Sequence, residues 1–324
     1  MKRTRRLRAL PVPASAALSL TRPPNIAMHQ TGILEPVPAH GRYLGLQQRP
    51  DAGTEAVRAA LGALAAEVDG HRIVLGLGAG LVARLAGPAA VPGLHDFQPP
   101  AGARVALPAT PLDLWLWLRG DDPATLLWRA EELLARLSAV FTTTENLPAF
   151  RHAEGRDLTG YEDGTENPEG EAALAAAFVD GQGPGLDGAS LLAVQRWQHD
   201  LGAFRAMSAT QRDLAIGRRL ADNEEIEDAP ETAHVKRTAQ EDYEPEAFVL
   251  RRSMPWLDGG DGGLYFAAFG RSLAAFEAQL ARMSGAEDAQ VDALFGFSRP
   301  LTGATLWCPP LHDGRIDLRA LSPF

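Results

Sequence analysis

The chain has 324 residues, 45% of them apolar, and its 41 acidic against 31 basic side chains leave a net charge of −10. That balance excludes a disordered chain and argues against a nucleic-acid partner, since no basic face has been assembled. A single cysteine, Cys308, excludes an internal disulfide framework, and no run of about 18 apolar residues is present to form a transmembrane helix.

Residues 1–27 need a separate reading. Arg5-Arg6 followed by a mildly apolar stretch resembles a twin-arginine export signal, but Pro11, Pro13 and Arg22 interrupt it. The segment is expected to be a disordered extension, with Met28 a natural alternative first residue. A cytoplasmic protein is the expectation, with no membrane partner.

Periodicity then predicts the elements in chain order. Tyr43 to Gln47 is a short strand. Glu55 to Val68 sets Val57, Leu61, Leu64, Ala65 and Val68 on one helical face. His71 to Leu77 is a strand ending in glycines. Leu112 to Arg119 alternates leucines with Asp113, Trp115, Trp117 and Arg119, a period of two. Pro123 to Leu137 returns to helical spacing, and Val140 to Thr144 is β-branched and extended. The second half repeats this order. Leu191 to Gln198 is a strand. Ser208 with Gln211 forms a capping box for a helix to about Arg219. Phe248 to Arg252 and Leu264 to Phe269 are strands, Ser272 to Met283 a helix, and Thr305 to Cys308 a last strand.

Each half therefore reads β-α-β-β-α-β. The expected fold class is α+β, two ferredoxin-like units with antiparallel sheets and helices on one face. The expected units are 28–149 and 150–324.

Two motifs fail on inspection. Gly78-x-Gly80-x-x-Ala83 after a strand has the look of a dinucleotide-binding turn. The residues before Asp96, Ala89-Ala90-Val91-Pro92-Gly93, cannot form the second parallel strand. Asp163-x-Thr165-x-Asn167 begins like a calcium loop, but Pro168 stands where the glycine belongs and Leu174 where the closing glutamate belongs. No histidine pair has HxxxH spacing and no GxSxG elbow occurs.

What remains is a set of three. Gly160-Tyr161-Glu162-Asp163-Gly164 opens the polar run GYEDGTENPEG, His234 stands in AHVKRT, and Arg251 and Ser253 stand in VLRRSMPW. Singly, these read as a turn, a surface histidine and a solvated strand end. Together they resemble the dye-decolourising peroxidases, haem enzymes of two ferredoxin-like units. GxxDG is that family's motif, and DGTENP is similar to its bacterial B-type branch. The likeness runs from about Gly32 onward and includes PATPLDLWLWL and GLYFAAFG. Tyr161-Glu162 departs from it, where Phe and an apolar residue are common.

The resemblance implies a haem b cofactor with His234 as the iron ligand, Asp292 as its carboxylate partner, and Arg218 of Ile216-Gly217-Arg218 on a propionate. It implies Asp163, Arg251 and Ser253 as the catalytic group, with Gly164 and Thr165 beside the cofactor. A carboxylate can shuttle a proton between the oxygens of hydrogen peroxide. An always-charged guanidinium can stabilise charge developing as the O–O bond breaks. Which of the two dominates stays open. The expected activity is peroxide reduction with oxidation of dyes, phenolic small molecules or Mn²⁺ through a ferryl intermediate, in a homo-oligomer. A haem-handling protein (deferrochelatase-like or porphyrinogen-oxidising) and a non-redox ligand-binding module are the alternatives. The acidic run Ala221 to Glu231 reads as a solvated loop, with Mn²⁺ binding its alternative. Trp256, Trp307 and Tyr265 suit either core packing or electron transfer.

Overall fold

The computed structural model describes residues 29–321, so the extension expected at 1–27 lies outside the described residues. The first half runs β1 (His40–Gln48), α1 (Thr54–Glu67), β2 (Ile73–Gly78), α2 (Ala79–Ala86), β3 (Leu114–Gly120), α3 (Pro123–Leu137) and β4 (Phe141–Phe150). The second runs α4 (Gly170–Ala177), β5 (Ser190–His199), α5 (Leu201–Ala206), α6 (Ala209–Ile216), α7 (His234–Arg237), β6 (Leu250–Arg251), β7 (Met254–Asp258), β8 (Asp261–Gly270), α8 (Ala274–Met283), β9 (Ser298–Pro300) and β10 (Ala304–Cys308). A two-stranded hairpin, β11 (Leu311–His312) with β12 (Arg315–Ile316), follows.

Local chemistry sets the longer helices. Asp122 caps α3 by accepting from Thr125 N at 2.7 Å, and Pro123 begins it, where a missing N–H costs nothing. Leu126, Ala130, Leu133 and Leu137 then recur on one buried face, each fully buried leucine contributing about 1.5–3 kcal/mol. The capping box at Ser208 and Gln211 is formed in both directions.

The sheet order explains how two units make one body. The first half pairs as β4-β1-β3-β2 and the second as β7-β8-β5-β10, all antiparallel. These are the same order, that of the ferredoxin-like unit. The two sheets then join at both sides, β2 to β10 through Leu77 and Trp307, and β4 to β7 through Ala149 and Trp256. The result is a closed barrel, which leaves no long free edge on the joined strands.

Closure gives the period-two pattern of β3 a different meaning from a half-exposed strand. Leu114, Leu116 and Leu118 pack under the helices, while Trp115 and Trp117 face the barrel interior and are 0% exposed. Inside, Tyr43 stacks on Tyr265 at 3.8 Å between ring centroids, and Trp115 Nε1 donates to the Tyr265 hydroxyl at 2.9 Å. Trp256, Trp307 and Tyr265 are all buried core residues.

Several boundaries differ from the sequence expectation. Helix α2 was not expected. It starts directly from the glycines ending β2, yet both neighbours of β2 run antiparallel to it, so no parallel crossover builds a dinucleotide site. Helix α6 stops at Ile216, because Gly217 turns left-handed at φ 94°. The strand expected over 248–252 shrinks to Leu250–Arg251. Just beyond it, Arg252 N still donates to Ala267 O at 2.8 Å, while its guanidinium holds the carbonyls of Ile33 (2.9 Å) and Leu34 (2.6 Å).

Candidate active site

A cavity of about 870 Å³, its mouth included, lies between the outer face of the second sheet and α8. Leu264 and Phe266 of β8, Phe276, Leu280 and Met283 of α8, and Leu294 supply its apolar wall. Asp163, Arg251 and His234 border the same space. The structure thus brings together three residues spread over nearly ninety positions.

Asp163 sits on the loop after β4. That loop folds on itself: Asp157 N donates to Tyr161 O at 2.8 Å, Gly160 N to Asp157 O at 2.9 Å, and Asp163 N to Gly155 O at 3.1 Å. Gly164 takes φ 82°, and a Cβ there would lie 2.7 Å from Asn167 Nδ2, so only glycine lets the chain turn so close to that amide. Asn167 uses the closeness. Its Oδ1 accepts from Arg251 N at 2.8 Å and its Nδ2 donates to Arg251 O at 3.1 Å. The side chain thereby satisfies the exposed edge of β6 and fixes the strand that carries Arg251. Arg251 Nη1 lies 3.8 Å from Asp163 Oδ1, with the two side chains 16% and 22% exposed. Asn167→Ala is expected to cost about 1–3 kcal/mol for two lost hydrogen bonds, read as a lower urea midpoint at unchanged m-value. A midpoint equal to that of the wild type would show that Asn167 does not hold the strand.

His234 begins the single turn α7. Its Nδ1 lies 2.7 Å from Asp292 Oδ2, and Asp292, 1% exposed, also accepts from Leu294 N at 2.8 Å through Oδ1. With Nδ1–H given to the carboxylate, Nε2 is left with its lone pair. Gly217 lets α6 end against this turn, since a Cβ there would fall 2.1 Å from Val235 Cγ1. Buried Arg237 locks the far side, bonding both oxygens of Asp288 (2.7 and 2.8 Å) and the Gln290 carbonyl (2.9 Å). The Arg237 hydrogen bonds hold the Asp288 carboxyl down at about 2. A folded-state pKa below the unfolded value of about 3.9 contributes stability above that value and loses it as pH falls toward 2. Asp288→Asn should therefore flatten the acid-unfolding profile over that window; a profile as steep as the wild type would exclude this linkage.

The other expected residues lie at the rim or behind. Arg218 borders a lateral extension of the cavity with Gly164 and Thr165. It already pairs with Glu166 and Glu225 and bonds Asn223 O at 3.1 Å, so the acidic run is not wholly solvated. Thr165 Oγ1 accepts from Asn223 Nδ2 at 3.1 Å. Ser253 is buried behind Arg251, bordering a side pocket rather than the main cavity. Tyr161, the departure from the family pattern, is buried with its hydroxyl on Asp213. Burial, together with that carboxylate, pushes the phenol above its ordinary range. Among the described residues no group of three His, Cys, Asp or Glu side chains could hold a metal ion unaided.

These features fit haem. A flat apolar macrocycle matches the apolar walls, and a His with one free ring nitrogen backed by a buried carboxylate is the donor that haem iron takes from a protein. Arg251 Nε is buried with no hydrogen-bond partner in the protein, a polar atom of the kind retained where a ligand completes the site.

Sequence reasoning missed Asn167, although it stands in the DGTENP run that drew attention to Asp163. It also missed Asp157, His199 and Ser298, which meet on the cavity wall from three distant segments and leave no local pattern.

Comparison with known proteins agrees with this geometry. A family model described as Dyp-type peroxidase, C-terminal, matches residues 154–313. The chain is 31% identical to the dye-decolorizing peroxidase of Mycolicibacterium paratuberculosis over 67% of its own length and 63% of that protein's. It is 30% identical to the one of Mycobacterium tuberculosis over 67% of each. It thus spans a little under or about two thirds of the length of these curated relatives. Among solved structures, a putative dyp-type peroxidase protein from Shewanella oneidensis superposes with TM-score 0.82 at 26% identity, covering 94% of this chain and 99% of that one. A DypB variant from Rhodococcus jostii RHA1 in complex with heme superposes with TM-score 0.75 at 25% identity, covering 85% and 94%. The barrel, the cavity and the sequence likeness agree, and the chain belongs to the dye-decolorizing peroxidase family.

Proposed function

We propose that the chain is a haem-dependent peroxidase that reduces hydrogen peroxide and oxidises dyes and phenolic small molecules. The observation that carries this is one apolar cavity bordered both by His234, backed by Asp292, and by the Asp163–Arg251 pair. Bound haem b would supply the iron that takes up peroxide and the redox capacity for two one-electron oxidations.

The chain's own residues supply the rest. Asp292 holds the His234 ring in one orientation with Nε2 free. The Asp163 carboxylate takes the proton from one oxygen of hydrogen peroxide and returns it to the other, so that the second oxygen leaves as water. Arg251, its backbone held by the Asn167 clasp and its guanidinium beside Asp163, stabilises the negative charge that appears as the O–O bond breaks. The apolar walls keep bulk water from screening that charge.

Reconstitution with iron protoporphyrin IX, followed by peroxide-dependent decolorisation of an anthraquinone dye, tests the reading. A Soret band and sustained decolorisation are expected, with no free porphyrin released. Absence of haem uptake would sink the proposal, and porphyrin release in place of turnover would favour haem handling. Arg218 enters as the propionate holder, exchanging a carboxylate of Glu166 or Glu225 for one of haem. Arg218→Ala is expected to weaken haem retention by about 1.5–3 kcal/mol while leaving peroxide cleavage nearly unchanged. Tight haem with slow cleavage would move Arg218 to the catalytic group.

A further inference from the structure

A second histidine borders the cavity and takes no part in the chemistry above. His199 ends β5, is 9% exposed, and makes hydrogen bonds through both ring nitrogens. Nε2 lies 2.9 Å from Asp157 Oδ1, and Nδ1 lies 2.7 Å from Ser298 Oγ. Ser298 Oγ reaches on to the Gln198 carbonyl at 3.4 Å. Asp157 also accepts from the Thr159 N–H at 3.0 Å and its hydroxyl at 2.6 Å. Burial opposes a charge on Asp157, but its hydrogen bonds to His199 and Thr159 outweigh that and hold the carboxyl below its usual range.

The position of this chain matters more than its existence. Asp157, His199 and Ser298 all border the apolar cavity. His199 and Ser298 also border a separate polar cleft of about 1270 Å³, mouth included, whose rim carries the exposed residues Asp200, Arg205, Asp261 and Arg299. The three side chains therefore form a hydrogen-bonded line through the wall between solvent and cavity.

We propose that Ser298, His199 and Asp157 are a proton relay from the polar cleft into the cavity, serving the electron-accepting half of the reaction. This rests on the peroxidase reading. The balance of the reaction calls for such a path: hydrogen peroxide, two electrons and two protons give two waters. Breaking the O–O bond only rearranges protons already on peroxide, the task given to Asp163. Accepting two electrons afterwards consumes two protons, and a donor that gives an electron alone, such as ferrocyanide, brings none. Those protons must come from solvent, and the Ser298–His199–Asp157 line offers a path separate from the one past Asp163. Imidazole suits the task because it accepts at one nitrogen while donating at the other. The Ser298 hydroxyl turns from the Gln198 carbonyl to give its proton to Nδ1, Nε2 gives one to Asp157, Asp157 releases it into the cavity, and solvent in the cleft reprotonates Ser298.

His199→Gln separates relay from scaffold, since an amide can occupy the same hydrogen bonds but cannot pass a proton through. With ferrocyanide as donor, the electron-accepting phase is expected to slow about 10²-fold, with the peroxide-consuming phase, haem content and melting temperature near wild type. Added imidazole should restore the rate in His199→Ala. Equal slowing of both phases with a lowered melting temperature would make His199 a mere anchor of the Asp163 loop and overturn the relay. So would an unchanged electron-accepting phase, which would bring protons in past Asp163. The apoprotein gives a readout independent of turnover. In spectra of ¹⁵N-histidine-labelled apoprotein, the His199 ring N–H should exchange with solvent quickly in wild type and more slowly in Ser298→Ala. A ring proton protected for hours in wild type would exclude the relay even if the protein proves a peroxidase, whereas failure to bind haem would sink the peroxidase reading alone.

Discussion

Arg251→Leu is expected to slow peroxide cleavage by about 10²–10³-fold, with haem content unchanged. The reason is preorganisation. The Arg251 backbone N–H and C=O are both held by Asn167, and its side chain is only 16% exposed, so its charge stands ready and needs little solvent reorganisation. Leucine keeps the stem and deletes the charge. Asp163→Asn keeps shape and removes proton transfer, so a similar or smaller loss is expected, since water can relay part of the proton traffic. The two side chains lie 3.8 Å apart and act as a unit. The double variant should therefore lose less than the product of the single losses. Stopped-flow mixing with hydrogen peroxide reads all three. Wild-type cleavage rates in both single variants, with haem intact, would return the Gly160–Gly164 turn to an ordinary surface loop.

The second large effect belongs to His234. His234→Ala should abolish stable haem retention, because no other histidine borders the cavity except His199, which is engaged at both nitrogens. Asp292→Asn is the finer test. The carboxylate is 1% exposed and holds both the His234 ring and the Leu294 amide. Its amide can keep one of these contacts but gives the ring less electron density. Affinity for haem iron should fall about 10- to 100-fold, measured as haem transfer to a competing apo-globin. Retention as tight as wild type in both variants would mean that another residue binds the iron.

These expectations show where the sequence was legible. Helix α3 could be read because its proline and its apolar period act within fifteen neighbouring residues, Pro123–Leu137. The same holds for the capping box of α6. The Asp163, His234 and Arg251 motifs were legible through a family pattern, each being a short local string.

Boundaries failed where distant atoms decide. The strand expected over 248–252 keeps only Leu250–Arg251, and the Arg252 guanidinium goes to carbonyls more than two hundred positions away. Asn167 was visible as a residue but not as a clasp, because its partner is 84 positions off.

By itself, then, the sequence determined the α+β class and the twice-repeated order of strands and helices, both set by periodicity and short-range chemistry, while Asp163, His234 and Arg251 were singled out through the family resemblance. Only the tertiary structure decided that the two sheets close into one barrel, that the tryptophan face of β3 is interior, and that Asp157, His199 and Ser298 meet on the cavity wall. Strand closure and side-chain meeting depend on pairings between residues far apart in the chain. Such pairings are chosen by the total burial and hydrogen bonding of the folded whole, and no local window of residues carries that sum.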